Sequence, residues 1–271
     1  MKVWRTIRCK SVRAAVLALL LGGAFLAGGA WPRPAPAAGC RQSDLTTVPD
    51  AAFVPQTQQV STDAQEKRVC LTFDDGPSKN TETVLAVLAQ EQVPATFFVI
   101  AAENNRKYLP LVQKEAAQGH QVGLHSCSHE YAEIYASADA YWADIDALRQ
   151  ALSPYLDVAS VDCLRFPGGS TNTVSHKYGG SGIMQQLKAQ AGERGYHWVD
   201  WNVCADDAVG GHPSAAKVYR STIEDVDGKD TCVVLMHDTD RTKTTAEALP
   251  DIIRWFKDHH YAFCRVDALY A

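Results

Sequence analysis

The sequence has no excess of positive charge. It carries 26 lysines and arginines against 31 aspartates and glutamates, which gives a formal net charge of −5. Residues 1–38 contain six of these cations and no acid, so the chain without them has a net charge of −11. Because phosphate backbones need a basic binding surface, this acidity argues against a nucleic-acid partner. It also gives no electrostatic help in holding an anionic polymer.

A clear hydrophobic period is missing from the segment that follows the amino terminus. Residues 41–66 are polar and rich in Thr, Gln, Asp and Ala, so we expect residues 39–66 to form a linker or flap. Residues 1–38 combine basic residues with an apolar stretch, interrupted by glycines, that is close to the roughly 20 residues needed to span a bilayer. We interpret them as a cleaved signal peptide or an N-terminal membrane anchor. Both fates make the protein extracellular or bound to the cell surface.

Cysteine is well represented, and eight cysteines in an exported chain suggest disulfides. Cys9 lies in the signal region, which leaves an odd number and at least one free thiol if Cys40 is retained. Spacing alone does not give the connectivity. Four cysteines fall in β-prone segments, where buried thiols are common. They are Cys70, Cys163, Cys232 and Cys264.

Two adjacent carboxylates and a pair of histidines point to chemistry. Asp74 and Asp75 end a β-prone run and are followed by the turn residues Gly and Pro. His125 and His129 follow at i, i+4 spacing. An Asp/His/His set leaves one coordination position of a divalent metal open for water, and the second aspartate remains for acid–base work. Together the two patterns predict a metal-dependent hydrolase, whereas each alone also fits a solvated turn or an ordinary helix face.

Short β-prone runs alternate with longer helical patterns from residue 68 onwards. This alternation predicts a parallel sheet with helices outside, within one domain. The predicted strands are residues 68–73, 94–100, 120–125, 162–166, 196–202, 231–236 and 261–265, and the predicted helices are residues 80–91, 105–118, 138–152, 183–194, 214–226 and 245–259. Periodicity alone does not separate a closed barrel from a flavodoxin-like open sheet.

The chain resembles the NodB-type polysaccharide deacetylases of carbohydrate esterase family 4 over residues 67–271. Five motifs of that family occur here in order. They are Thr72-Phe73-Asp74-Asp75-Gly76-Pro77, His125-Ser126-Cys127-Ser128-His129, Arg165-Phe166-Pro167, the segment from Asp200-Trp201 to Asp206-Asp207, and Leu235-Met236-His237. The resemblance implies that residues 67–271 are the catalytic domain, an α/β fold built as an irregular (β/α)7 barrel with the motifs at strand ends.

The resemblance also implies a metal site. Its expected ligands are Asp75, His125 and His129, and the intervening Cys127 is not expected to bind the metal. Two nitrogens and one oxygen suit Zn²⁺, and Co²⁺, Ni²⁺ or Mn²⁺ are alternatives.

Four further residues match catalytic positions of the resembled family. Asp74 matches the general base that takes a proton from the attacking water, and Arg165 matches the arginine that pairs with this base. His237 matches the general acid that protonates the departing amine, and Asp207 matches the carboxylate that keeps this histidine charged. Because Asp206 is adjacent, the last assignment can slip by one residue.

The sequence departs from the family pattern at two positions. Gly168 stands where the family has an aromatic residue; its backbone N–H can still stabilise the oxyanion, but an aromatic wall of the sugar groove is lost. Ala208 stands where a tryptophan usually follows the aspartate. Of the two nearby tryptophans, Trp201 is the better candidate for stacking on a sugar, and Trp198 the weaker one.

We therefore predict a monomeric, metal-dependent N-deacetylase of an N-acetylated glycan polymer, with peptidoglycan N-acetylglucosamine as the favoured substrate. Alternative substrates are chitin oligomers, an N-acetylglucosamine exopolysaccharide and acetylxylan. A glycan-binding module without catalysis would show a broken motif, and none is broken. A structural cell-surface protein with an incidental metal site would not need Arg165 and His237 at the same mouth.

Overall fold

Strands and helices follow one another along residues 66–270, the part of the chain that the computed structural model describes. The strands are β1 (Arg68–Asp74), β2 (Thr96–Ile100), β3 (Gln121–Ser126), β4 (Cys163–Leu164), β5 (His197–Trp198), β6 (Val203–Cys204), β7 (Thr231–His237) and β8 (Ala262–Phe263). The helices are α1 (Lys79–Glu91), α2 (Pro110–Ala117), α3 (Tyr131–Ile134), α4 (Ala138–Leu152), α5 (His176–Gly179), α6 (Ile183–Glu193), α7 (Ala215–Val226) and α8 (Lys243–Asp258). The predicted signal peptide or anchor, Cys40 and all but the last residue of the predicted linker lie outside this part.

The strands form one parallel sheet in the order β5-β4-β3-β2-β1-β7-β6, and β8 pairs with β1. Strand β1 is central, because it pairs along its whole length with β7 and shares its other edge between β8 and β2. Strands β1, β2 and β7 are almost continuously apolar and buried, as expected for a parallel sheet covered on both faces. The parallel β/α architecture predicted from the sequence is confirmed.

The two ends of this strand order, β5 and β6, are neighbours in the chain. The N–H of Val199 donates to Leu164 of β4, whereas the N–H of Asn202 donates to Val233 of β7. The Asn202 side chain adds two hydrogen bonds to the backbone of β7, at 2.7 and 2.8 Å. The chain thus crosses from one edge of the sheet to the other within residues 199–202, which curls the sheet into a barrel.

The structure therefore splits the predicted strand 196–202 into two short strands, because its pairing partner changes midway. Counted as one strand, β5 and β6 give the seven strands of the expected barrel. The predicted helix 105–118 is also shorter: α2 begins at Pro110 after a single 3₁₀ turn, since proline is favoured in the first turn of a helix. No helix within residues 66–270 is long and apolar enough to cross a bilayer.

Alternate residues of the strands face two different hydrophobic clusters. Leu71 and Phe73 of β1 belong to the larger cluster between the sheet and the helices. A smaller inner cluster lies on the other face of the sheet. Its fully or almost fully buried members are Cys70, Phe98, Cys163, Val233 and Val266.

The carboxyl-terminal segment covers the end of the barrel where the strands begin. Val266 packs into the inner cluster, and its N–H donates to Thr96 at the start of β2. The N–H of Cys264 donates to Val69, and its Sγ lies 2.9 Å from Sγ of Cys70. The six cysteines within residues 66–270 are all thiols. The motif residues lie at the opposite end of the barrel, where the strands finish.

Candidate active site

The motif residues meet at the carboxyl ends of the parallel strands. Asp74 and His237 end β1 and β7, and they face each other in the strand register. His125 is the penultimate residue of β3, Arg165 directly follows β4, and Asp207 lies just beyond β6. In parallel β/α folds this edge carries the functional groups, because loops from different strands converge there.

Asp75, His125 and His129 form a compact group of possible metal ligands. Oδ1 of Asp75 lies 3.5 Å from Nε2 of His125 and 3.2 Å from Nε2 of His129. One ligand atom from each residue lies within 4.8 Å of the others. Among residues 66–270 no other group of three or more His, Cys, Asp or Glu side chains meets this criterion, so Cys127 is not part of such a site.

The chemistry of these donors fits a divalent cation. Oδ1 of Asp75 is buried without a hydrogen-bond partner, and Nδ1 of His125 is 2.6 Å from the carbonyl oxygen of Arg165, which turns Nε2 towards Asp75. Burial lowers the pKa of His125, and the nearby carboxylates offset only part of this effect. Burial raises the pKa of Asp75, but the imidazoles outweigh it and leave a net decrease. A neutral imidazole and an ionised carboxylate are the forms that bind metal.

Asp144 on α4 holds the loop between the two histidines. Ser126 Oγ and the N–H of Cys127 each donate to its Oδ2 at 2.7 Å, and the N–H of Ser128 donates to its Oδ1 at 2.9 Å. Ser126 Oγ in turn accepts the N–H of His129 at 2.8 Å, a residue with a φ of 59°. Sequence reasoning missed Asp144, because an acid on a helix face carries no signal of its own.

Gly76 is required by a close approach between two loops. The carboxylate of Asp238 occupies the place that a side chain on Gly76 would take. Thr81 Oγ1 donates to this carboxylate, and the N–H of Asp238 donates to the carbonyl oxygen of Asp74. Burial raises the pKa of Asp238 to about 7. Asp238 therefore ties the loop that carries Asp75 to the end of β7.

Asp74 is paired with a fully buried arginine. Nη1 of Arg165 donates to Oδ1 of Asp74 at 2.8 Å and to Oγ1 of Thr72 at 2.7 Å. Nε and Nη2 donate to the carbonyl oxygens of Val199 and Asp200, at 3.0 and 3.2 Å. The guanidinium thus binds the carboxylate of Asp74. It also donates to backbone carbonyl oxygens in the segment that joins β5 to β6.

His237 is paired with Asp207 rather than with Asp206. Nδ1 of His237 lies 2.9 Å from Oδ1 of Asp207, and Oδ2 of Asp207 accepts the N–H of His237 and the hydroxyl of Thr245, both at 2.7 Å. Burial alone lowers the pKa of His237, but the charge and hydrogen bond of Asp207 outweigh burial and raise this pKa to about 10. The imidazole is therefore cationic at neutral pH.

Gly168 lies in a tight turn that follows β4. This turn is at the carboxyl ends of the strands, and we call that end of the barrel the mouth. The N–H of Gly169 donates to Phe166 at 2.7 Å, Pro167 is the second residue and Gly168 the third, with a φ of 77°. These are the features of a type II turn, which requires a positive φ at its third residue. Gly168 is exposed, and its N–H donates to no acceptor within residues 66–270.

The two tryptophans of this region occupy different places. The ring of Trp201 packs against Gly169 and lies 5.7 Å from the Arg165 guanidinium. Trp198 is the more exposed ring, and Lys188 of α6 lies over it at 5.7 Å, on the helix side of the sheet. Sugar stacking by Trp201 stays a prediction.

The chain is similar in sequence and structure to known proteins. The model of the polysaccharide deacetylase family matches residues 61–181. A peptidoglycan-N-acetylglucosamine deacetylase of Bacillus cereus is 30% identical over 204 residues, which cover 73% of this chain and 69% of that protein. One of Listeria monocytogenes is 30% identical over 226 residues, which cover 82% of this chain and 42% of that protein. The solved catalytic domain of a peptidoglycan N-acetylglucosamine deacetylase from Eubacterium rectale matches with a TM-score of 0.69 and 35% identity, over 77% of this chain and 92% of that one.

Proposed function

The chain belongs to the NodB-type polysaccharide deacetylases of carbohydrate esterase family 4, and from this premise we propose that it removes N-acetyl groups from N-acetylglucosamine residues of peptidoglycan. The observation that carries the proposal is that two ion pairs lie beside one group of possible metal ligands. Asp74 is bound to Arg165, and His237 is bound to Asp207. A base and a charged acid at one site are what amide hydrolysis needs, and a glycan-binding module needs neither.

The same proposal covers the organisation of the chain. Residues 67–271 are its catalytic domain, acting as a monomer outside the cytoplasm, where peptidoglycan lies. Residues 1–38 are its signal peptide or membrane anchor and residues 39–66 its linker. The apolar stretch and the basic residues of the amino terminus support export.

Asp75, His125 and His129 are the proposed ligands of a divalent cation, with Zn²⁺ preferred because two nitrogens and one oxygen suit it. When bound, such a cation polarises the acetyl carbonyl and makes water more acidic. His125 is held in position for this role by its hydrogen bond to the backbone of Arg165.

Asp74 is the proposed general base. Its Oδ1 accepts from Arg165, so Oδ2 remains to take a proton from the water that attacks the acetyl carbonyl carbon. The arginine keeps the carboxylate in one orientation. A base held in a single orientation reacts without first losing rotational freedom.

Gly168 and His237 are proposed to act on the oxygen and the nitrogen of the acetamide group. The free N–H of Gly168 donates to the carbonyl oxygen as negative charge develops there. His237 gives its proton to the nitrogen while the C–N bond breaks, so the sugar leaves as a free amine and the acetyl group as acetate. Asp207 stabilises the cation before this transfer.

Acetate release tests the proposal. Purified protein is incubated with peptidoglycan, N-acetylchitopentaose and acetylxylan, with and without added Zn²⁺ or Co²⁺. We expect metal-dependent release, fastest from peptidoglycan, and a decrease of about 10²- to 10⁴-fold in kcat for Asp74→Asn. The asparagine keeps an oxygen to accept from Arg165, so the fold and the metal content should be unchanged. The proposal fails if the metal-loaded protein releases no acetate from any polymer, or if Asp74→Asn is fully active.

A further inference from the structure

We propose that Tyr131 contacts the substrate and replaces, with its ring and hydroxyl, the aromatic side chain that is absent at Gly168. The inference rests on the proposed deacetylase function and adds a residue to the same site. Tyr131 is the first residue of α3 and lies two positions after His129.

The first observation is that Tyr131 fills the space beside Gly168. A Cβ on Gly168 would lie 2.7 Å from Oη of Tyr131 and 3.3 Å from Cβ of Asn172. The φ of 77° at Gly168 also disfavours any side chain there. An aromatic residue at position 168 and Tyr131 in its present place are therefore mutually exclusive.

The second observation is the position of the Tyr131 ring against a proposed metal ligand. The ring meets His129 edge-on, with centroids 5.6 Å apart, and meets Tyr135 in the same way at 5.6 Å. It is half-buried, and its contact with His129 places it beside the possible metal ligands. Its hydroxyl makes no hydrogen bond to any residue in the described range and is not fully buried. The ring is thus a wall of the mouth with a free hydroxyl at its edge.

The third observation is that Tyr135 orients the neighbouring peptide group. The hydroxyl of this fully buried residue donates to the carbonyl oxygen of Pro167 at 2.7 Å. The C=O and N–H groups of a trans peptide point in opposite directions, so the N–H of Gly168 is directed away from Tyr135. The two tyrosines therefore fix one peptide: Tyr135 holds its carbonyl, and Tyr131 lies alongside the residue that offers its free N–H.

The chemical consequence is a second donor for the acetyl group. The hydroxyl of Tyr131 and the N–H of Gly168 both serve the carbonyl oxygen, whose charge grows as water attacks. A hydrogen bond to a charged acceptor is stronger than one to a neutral acceptor, so this donor acts mainly in the transition state. The ring itself acts mainly on substrate affinity.

The test measures kcat and KM with N-acetylchitopentaose for Tyr131→Phe, Tyr131→Ala and Tyr141→Phe. We expect Tyr131→Phe to lower kcat about 10- to 100-fold with little change in KM, and Tyr131→Ala to raise KM as well. Tyr141→Phe is the matched control, because its hydroxyl is fully buried and lacks a partner within the described residues. Metal content measured by mass spectrometry should be equal in all variants.

A double-mutant cycle tests the shared space directly. Gly168→Ala should cost less activity in the Tyr131→Phe background than in the wild type, because the oxygen nearest to the new Cβ is gone. Equal costs in both backgrounds, or a Tyr131→Phe variant with wild-type kcat, overturn this inference while deacetylation stands. A wild-type protein that releases no acetate overturns the proposed function itself, and the inference with it.

Discussion

Single residues at the mouth are held in opposite protonation states by their neighbours. Burial lowers the pKa of His125, with only partial compensation from Asp74 and Asp75, so this imidazole is neutral. Burial also acts on His237, but Asp207 outweighs it and raises the pKa to about 10. One histidine is thereby suited to binding a metal and the other to donating a proton.

Replacement of Asp207 by Asn should shift the alkaline limb of the pH profile. The largely buried imidazole of His237 would lose the negative charge that keeps it protonated, while the effect of burial would remain. We expect the alkaline limb of kcat/KM to move down by about 1–3 pH units. Measurement of kcat/KM from pH 5 to 11 checks this, and an unmoved limb would rule out His237 as the acid.

The same charge should contribute to stability in a defined pH range. The pKa of His237 is raised from 6.5 to about 10 in the fold, so its stabilising effect is complete below pH 6.5 and is lost as the pH rises through 10. The difference in Tm between wild type and Asp207→Asn, both without metal, should therefore be larger at pH 6 than at pH 10. This comparison does not depend on activity.

At the scale of elements, helix α4 governs the loop that follows β3. Asp144 accepts three hydrogen bonds from residues 126–128, and Ser126 in turn accepts the N–H of His129. The carboxylate of Asp144 is not one of the possible metal ligands. The helix thus holds the loop that connects the two imidazoles.

Replacement of Asp144 by Ala should weaken metal binding about 10- to 100-fold, because groups that orient ligands typically contribute this much. Two backbone N–H groups and a hydroxyl would lose their acceptor, and the loop would loosen. Titration with Zn²⁺ against a chromogenic chelator measures the effect. Asp146→Ala, an exposed position on the same helix, is the control. Equal affinities of the two variants would contradict this role for Asp144.

The elements also show where sequence reasoning succeeds and where it stops. The pair Asp74-Asp75 after a β-prone run and the spacing of His125 and His129 are local patterns, and the structure brings Asp75 to both imidazoles. The break after β5 depends on a change of pairing partner, which no local pattern contains. Asp144 and Asp146 look alike in the sequence, because only the packing of α4 on the loop distinguishes them.

At the scale of the whole fold, residues 264–266 cover the end of the barrel that lies away from the site. Val266 is buried in the inner cluster, and Cys264 lies against Cys70. Curling of the sheet into a barrel follows from the change of pairing partner between β5 and β6, from β4 to β7, so periodicity alone could not establish it. The family resemblance carried that part of the prediction, because its motifs fix the order of the strand ends.

Oxidation by a small disulfide such as oxidised glutathione should join Cys70 to Cys264. The two thiols give up two protons and two electrons, and the disulfide is reduced to two thiols. We expect a linked peptide pair in a non-reducing tryptic map, and stabilisation of about 2–4 kcal/mol because the link closes a long loop. Cys264→Ser should abolish the link, and Cys232→Ser, at a buried thiol of the helix-side cluster, should not. A link between other cysteines would contradict this prediction.

The guanidinium of Arg165 has both a structural role in the barrel and a contact with the proposed base. It satisfies the carbonyl oxygens of Val199 and Asp200 where the strand is interrupted, and it also holds Asp74. A lineage that abandons catalysis is free to lose His237 or to replace Asp74 by asparagine, which still accepts from the arginine. Loss of the arginine would leave the partly buried carbonyl groups of Val199 and Asp200 without donors. The arginine should therefore persist in inactive descendants as a relic of the ancestral enzyme. Its presence in a relative records descent, and the neighbouring aspartate and histidine are the better markers of activity.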